Sequence, residues 1–267
     1  MIRQPAVAGQ FYTDDPDKLR AQLKAMISPA PVREKVLGVI SPHAGYVYSG
    51  AVAGKLFGEV AVPSTVVILG PNHHGIGARA AIFPEGSWQT PLGTAPVNSS
   101  LATLIKKHSS IVEADQKAHI FEHSLEVQLP FLQFLRPDVS IVPICLGFRD
   151  FKSCLLLGSG IAAAIREYGD EVLIVASSDM THYETAASAK QKDEQAINMV
   201  LALDAEGLLL VCAQKDITMC GVVPATVMLV AAKGLGATGA RLVQYATSGD
   251  VTGDNRQVVA YAALTVK

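Results

Sequence analysis

The sequence predicts one α/β domain over residues 1–267, with a central mixed, largely parallel sheet covered by helices on both faces. Three observations predict it. Short, β-branched apolar runs alternate with longer helical patterns, as βαβ units require. Several of those runs are continuous rather than in-out alternating, the mark of strands covered on both sides. No internal repeat and no long linker divides the chain.

The elements follow in order. A helix is expected over 16–27, opened by Asp14, Asp15 and Pro16 as helix starts often are. A strand at 36–40, a helix at 50–60 and a strand at 65–69 come next. The stretch 75–96, with Pro84, Pro91 and Pro96, reads as an irregular excursion or a short hairpin over one end of the sheet. Helices are predicted at 99–107 and at 124–135, the second with Ser124 as its N-cap. Strand 139–144, helix 152–168, strand 172–176 and helix 185–203 continue the alternation. Helix 223–233 holds Pro224 in its first turn, and strands 242–246 and 258–264 complete the pattern.

Composition excludes several function classes. Hydrophobic residues make up 49% and charged residues 17%, too apolar and too weakly charged for a disordered chain. The formal charge is -2, and no basic run exists to neutralise phosphates, so nucleic-acid binding has no support. The most apolar uncharged stretch, 217–232, contains Pro224 and falls short of the roughly 18–20 residues that span a bilayer. The opening MIRQPAVAGQFYTDD has no continuous apolar region of the signal-peptide kind. Cys145, Cys154, Cys212 and Cys220 show no CxxC spacing and read as thiols in a reducing compartment. A cytoplasmic protein is expected, with no membrane partner, and its weakly charged surface permits a homodimer.

The chemistry-bearing residues share a placement. His43 in SPHAGY, His73 and His74 in GPNHHG, and Asp179 and His182 in SSDMTHY each lie just past a predicted strand. In open α/β sheets ligands bind beyond the carboxyl ends of strands, where such loops converge. Imidazole is the commonest transition-metal ligand and titrates near pH 7. Two histidines and one anionic ligand suffice to hold a divalent metal, and Asp179, Glu122 and Cys220 are the candidates for the anion. Cys220, in TMCGVVPA, opens a helix whose amides are expected to lower its pKa. A fourth cluster, His119, Glu122, His123 and Glu126, reads either as a capped helix start or as acid/base groups lining the site. GxGxxG, Walker, GxSxG and HExxH motifs are all missing, which leaves nucleotide chemistry, serine hydrolysis and zinc proteolysis without support.

In order along the chain, VAGQFY, SPHAGYVYSG, ILGPNHHG, EHSLEVQLPFL, SSDMTHY, CGVVPA and YATSGD followed by VVAYAA resemble the Memo family. Its bacterial and archaeal branch is called AmmeMemoRadiSam system protein B. The resemblance implies a fold similar to class III extradiol dioxygenases, which hold non-haem iron with two histidines and a carboxylate. Carried onto this sequence, it implies a metal site of His43, His73 and Cys220, flanked by Asp179 and His182. Iron or copper is the implied ion, with zinc as a further choice. A thiol in the carboxylate's place shifts preference toward copper(I), zinc or thiolate-ligated iron and weakens the transfer of ring-cleavage activity.

The expected function is therefore a metal-dependent redox enzyme acting on a small-molecule substrate. His182, oriented by Asp179, would serve as general acid/base, with Tyr46 donating a hydrogen bond to it and His123 as a further acid/base group. The family name also implies association with a radical-SAM enzyme and an AMMECR-type protein. Two alternatives stand beside this reading. One is a non-catalytic binding scaffold, since eukaryotic members are described as signalling proteins. The other is metal-free catalysis by a Cys220 thiolate with His43 or His182 as base.

Overall fold

The structure is a computed structural model that describes residues 1–28 and 30–267. The chain begins β1 (Ile2–Arg3), α1 (Pro16–Met26), β2 (Gly38–Ser41), α2 (Tyr46–Glu59), β3 (Thr65–Pro71) and β4 (Ala80–Ile82). It continues through β5 (Ser87–Thr90), β6 (Gly93–Pro96), α3 (Ser99–His108), β7 (Glu113–Ala114), α4 (Leu129–Leu135) and β8 (Ser140–Leu146). Next come α5 (Phe151–Tyr168), β9 (Val172–Ser177), β10 (His182–Glu184), α6 (Ala186–Leu201) and α7 (Ala205–Gln214). The remainder is α8 (Val222–Leu235), β11 (Ala240–Thr247), α9 (Gly249–Thr252) and β12 (Val258–Val266).

Nine strands form one mixed sheet in the order β10-β12-β2-β9-β3-β8-β4-β7, with β11 also paired to β12. Its centre, β2, β9, β3 and β8, is parallel. β12 runs antiparallel to β2 on one flank, and β4 antiparallel to β8 on the other. Alternate residues of the central strands feed two cores, because successive side chains point to opposite faces. Val39, Val66, Ile68, Leu173 and Val175 join the core capped by α1, α2 and α4. Ile40, Val67, Leu69, Ile174 and Ala176 join the one capped by α3 and α5–α8. Each fully buried Val, Leu or Ile side chain contributes about 1.5–3 kcal/mol, so the sheet is stabilised from both sides. The expected fold class is the one found, a mixed α/β domain with a central sheet flanked by helices. Among the described residues no helix is long and apolar enough to cross a membrane.

Three differences from the sequence expectation have physical causes. The stretch 75–96 supplies a sheet strand, β4, as well as a hairpin, β5–β6, which pairs with β1 in a separate three-stranded sheet. The helix expected from Ser124 begins only at Leu129, after a 3-10 turn at Glu126–Gln128. Ser124 is not its cap, because the Ser124 amide donates to Glu122 and its hydroxyl to the Pro71 carbonyl. Helix α7 was not expected; its signal was Asp204, whose carboxylate caps the amide of Gly207.

Candidate metal centre

Because β2, β9 and β3 are parallel neighbours, their carboxyl ends open on one edge of the sheet. His43 lies two residues past β2, His73 two past β3, and Asp179 two past β9. His123 reaches the same point from the segment between two 3-10 turns, Lys117–His119 and Glu126–Gln128. One ring nitrogen from each of His43, His73 and His123 lies within 4.8 Å of the others. The His73 and His123 rings stack with centroids 4.7 Å apart, and both meet His43 edge-on at 5.4 Å. His43 is buried, His123 half-buried and His73 exposed, so the group opens to solvent on the His73 side. Phe11, from the VAGQFY segment, covers His123 at 4.8 Å.

Glu122 organises the His73 side. Its carboxylate accepts the His73 amide at 2.7 Å, His73 Nδ1 at 2.8 Å and the Ser124 amide at 2.9 Å. Burial alone would raise its pKa, but these hydrogen bonds and the nearby His73 hold the carboxyl well below the usual range. Nδ1 of His73 therefore donates, and Nε2 keeps the lone pair. Burial, first, and the neighbouring His73 and His74 bring His123 down to about 4, against the pull of Glu122. Burial and then His123 and His73 likewise push His43 well below its ordinary value.

Cys220 arrives on the turn before α8 and lies outside the three-imidazole group. Its Sγ is 3.2 Å from His43 Nε2 and accepts the Asp179 amide at 3.3 Å. Burial and the Asp179 carboxylate push this thiol above its ordinary value. The expected lowering by helix amides is thus overturned; the Gly221 amide acts in that direction but is outweighed.

Two expected interactions are corrected by the geometry. Asp179 does not orient His182: its Oδ1 accepts the backbone amides of His43 at 2.8 Å and Ala44 at 3.3 Å, fixing the loop after β2. Burial raises this carboxyl to about 7 despite those donors. Thr218 orients His182 instead, its hydroxyl accepting the His182 amide at 2.7 Å and its carbonyl accepting Nδ1–H at 3.0 Å. Burial lowers the His182 pKa, and its Nε2 carries the lone pair. Tyr46 is the second correction. As the first residue of α2 it packs inward between Tyr12 and Phe131, and its hydroxyl donates to the Val127 carbonyl at 2.8 Å. That hydroxyl is not available to His182 or to a substrate.

The remaining residues divide cleanly. His74 is exposed, with Nε2 3.0 Å from the Phe121 carbonyl. Glu126 turns away from the histidines toward Arg3 and Tyr12. Sequence reasoning missed Ser177, whose hydroxyl lies 2.9 Å from His43 Nδ1, although its place at the end of β9 was a signal.

A mixed α/β fold with clustered imidazoles at the carboxyl edge of its parallel strands defines the class. The chain belongs to the Memo-like protein family, which it matches over residues 3–265. A MEMO1 family protein of Methanosarcina mazei is 44% identical, covering 100% of this chain and 99% of its relative. MEMO1 family proteins of Methanopyrus kandleri, at 40% identity, and Pyrobaculum arsenaticum, at 43%, are matched over 99% and 98% of their lengths and cover 100% and 98% of this chain. Among solved structures, an uncharacterized protein from Escherichia coli K12 aligns with TM-score 0.53 and 16% identity, over 85% of this chain and 98% of that one. That likeness concerns the fold alone.

Proposed function

We propose that this protein holds one iron or copper ion at His43, His73 and His123, with Cys220 beside His43 as a further donor, and performs redox chemistry on a small-molecule substrate. The observation that carries the reading is the set of three ring nitrogens within 4.8 Å of one another. The donor set fits such an ion. His73 gives its Nδ1 to Glu122 and His43 its Nδ1 to Ser177, leaving the other nitrogen of each ring for a metal. Metal-binding histidines are held in this way, the second nitrogen engaged by a protein acceptor. Imidazole and sulfur suit iron, copper and zinc rather than magnesium or calcium.

When bound, iron or copper supplies electron transfer and Lewis acidity. The chain's own residues would do the rest. Glu122 holds the ring and amide of His73, and Asp179 holds the loop that carries His43. His182 presents Nε2 as a general base, held by Thr218. The raised Cys220 thiol weighs against metal-free nucleophilic chemistry, which needs a thiolate.

Elemental analysis of protein purified without oxygen tests the reading. Near-stoichiometric metal is expected in the wild type, with loss in His43→Ala and His73→Ala. Comparing His123→Ala with Cys220→Ala ranks the two remaining donors. Wild-type metal content in both His43→Ala and His73→Ala would overturn the assignment, and reconstituted protein that consumes no oxygen with any substrate tried would favour a binding scaffold.

A further inference from the structure

The geometry points to Ser177 and Gln128 as positioning residues that lock His43 in a single tautomer, with the Nε2 lone pair facing the metal site and Cys220. The inference rests on the metal-site reading above. It follows from counting protons in one buried chain of hydrogen bonds. Gln128 Nε2 lies 2.9 Å from the Pro42 carbonyl, and a carbonyl only accepts, which fixes that atom as the amide nitrogen. Its other N–H reaches Ser177 Oγ at 2.9 Å, nearer than the Ser41 carbonyl at 3.4 Å. Ser177 Oγ in turn lies 2.6 Å from the Ser124 carbonyl. A serine hydroxyl has one proton, and here it is spent on Ser124.

Ser177 Oγ can therefore only accept from its two other neighbours. One is Gln128; the other is His43 Nδ1 at 2.9 Å, which must carry a hydrogen. In the neutral ring the lone pair then falls on Nε2, the atom 3.2 Å from Cys220 Sγ. Ser124, Gln128 and Ser177 have no exposed surface, so bulk water does not compete for these bonds. His73 reaches the same tautomer by another route, through the Glu122 carboxylate. The two rings are thus held alike, one by a charged acceptor and one by a neutral relay.

Removing the Ser177 hydroxyl takes from His43 Nδ1–H its protein acceptor at a buried position. The ring then gains by moving its proton to Nε2, where Cys220 accepts, and that blocks the nitrogen a metal needs. The test uses metal-free protein labelled with nitrogen-15 histidine. Imidazole nitrogen shifts separate the two tautomers, and the His43 signals are assigned by their loss in His43→Gln. The wild type is expected to show Nδ1–H at His43, and Ser177→Ala to show Nε2–H or a mixture. Cobalt(II) titration followed by absorption should show about 10–100-fold weaker binding in Ser177→Ala, the size typical when an outer hydrogen-bond partner of a ligand is lost. Nε2–H in the wild type, or an unchanged His43 tautomer in folded Ser177→Ala, overturns the lock. If Ser177→Ala does not fold, the wild-type spectrum alone decides. The expected tautomer with no cobalt binding by any variant supports the lock and removes the metal-site reading, so the two failures are distinguishable.

Discussion

Glu122 and Glu126 sit on one short segment, both with no exposed surface, yet they serve different ends. Glu122 faces the histidines and is satisfied by two amides and an imidazole. Glu126 faces the opposite way and accepts Arg3, the Tyr12 hydroxyl at 2.6 Å, and the amides of Ala6 and Val7 at 2.7 and 3.1 Å. The 3-10 turn at Glu126–Gln128 keeps the pair off a common helical face. A buried carboxylate needs donors, and the kind of donor distinguishes the two jobs. With an arginine it pins the N-terminal segment to the fold; with a ring nitrogen it holds a candidate ligand.

The largest effect should come from Glu126→Ala, which leaves Arg3 charged and unpaired inside the protein. We expect a loss of about 3–5 kcal/mol of unfolding free energy in urea, with metal content per folded molecule unchanged. A loss near zero would erase the distinction between the carboxylates. The same contrast extends to the histidines of this segment. His119 packs between Phe83 and Trp88 with Nε2 3.0 Å from the Ala81 carbonyl, and burial lowers its pKa to about 4. The native ring resists protonation while the unfolded ring, near its ordinary 6.5, accepts a proton. Stability is therefore full above that pH and falls as pH drops toward 4, by up to about 3 kcal/mol from this group. Urea midpoints from pH 7 to 4.5 should show a shallower acid loss in His119→Phe than in the wild type.

Glu122→Gln should act mainly on binding. It keeps the volume but removes the charge that holds His73, and cobalt(II) affinity should fall about 10–100-fold with a smaller change in urea midpoint. An unchanged affinity would show that His73 needs no such partner. The smallest effect belongs to Glu167, which meets Lys107 and His108 at the surface at 2.6 Å each. Solvent screens that cluster, so Glu167→Gln should leave both the urea midpoint and the metal titration unmoved.

What could be read from the sequence follows the same division. The apolar runs of β2, β3 and β9 marked their own ends, so His43, His73 and Asp179 were legible as neighbours of one edge. The nearness of His123 to them was not, because it depends on a non-helical segment held by Glu122 and covered by Phe11. The partner of Asp179 is not legible for a related reason: adjacency to His182 in sequence says nothing about which amides a buried carboxylate meets. Strands such as β1 and β7, two residues each, are too short to show a period. Their pairing comes from the hairpin and β4 beside them.

The spread of these side chains along the sequence orders their appearance during synthesis. A ribosome delivers the three imidazoles within 80 residues of one another, well before the sulfur at position 220. Strand β12, which lies against β2 and so buttresses the loop bearing His43, is translated later still. A nascent chain thus carries the three imidazoles before the thiol or the flanking strand exists, and the four side chains can meet only late in synthesis.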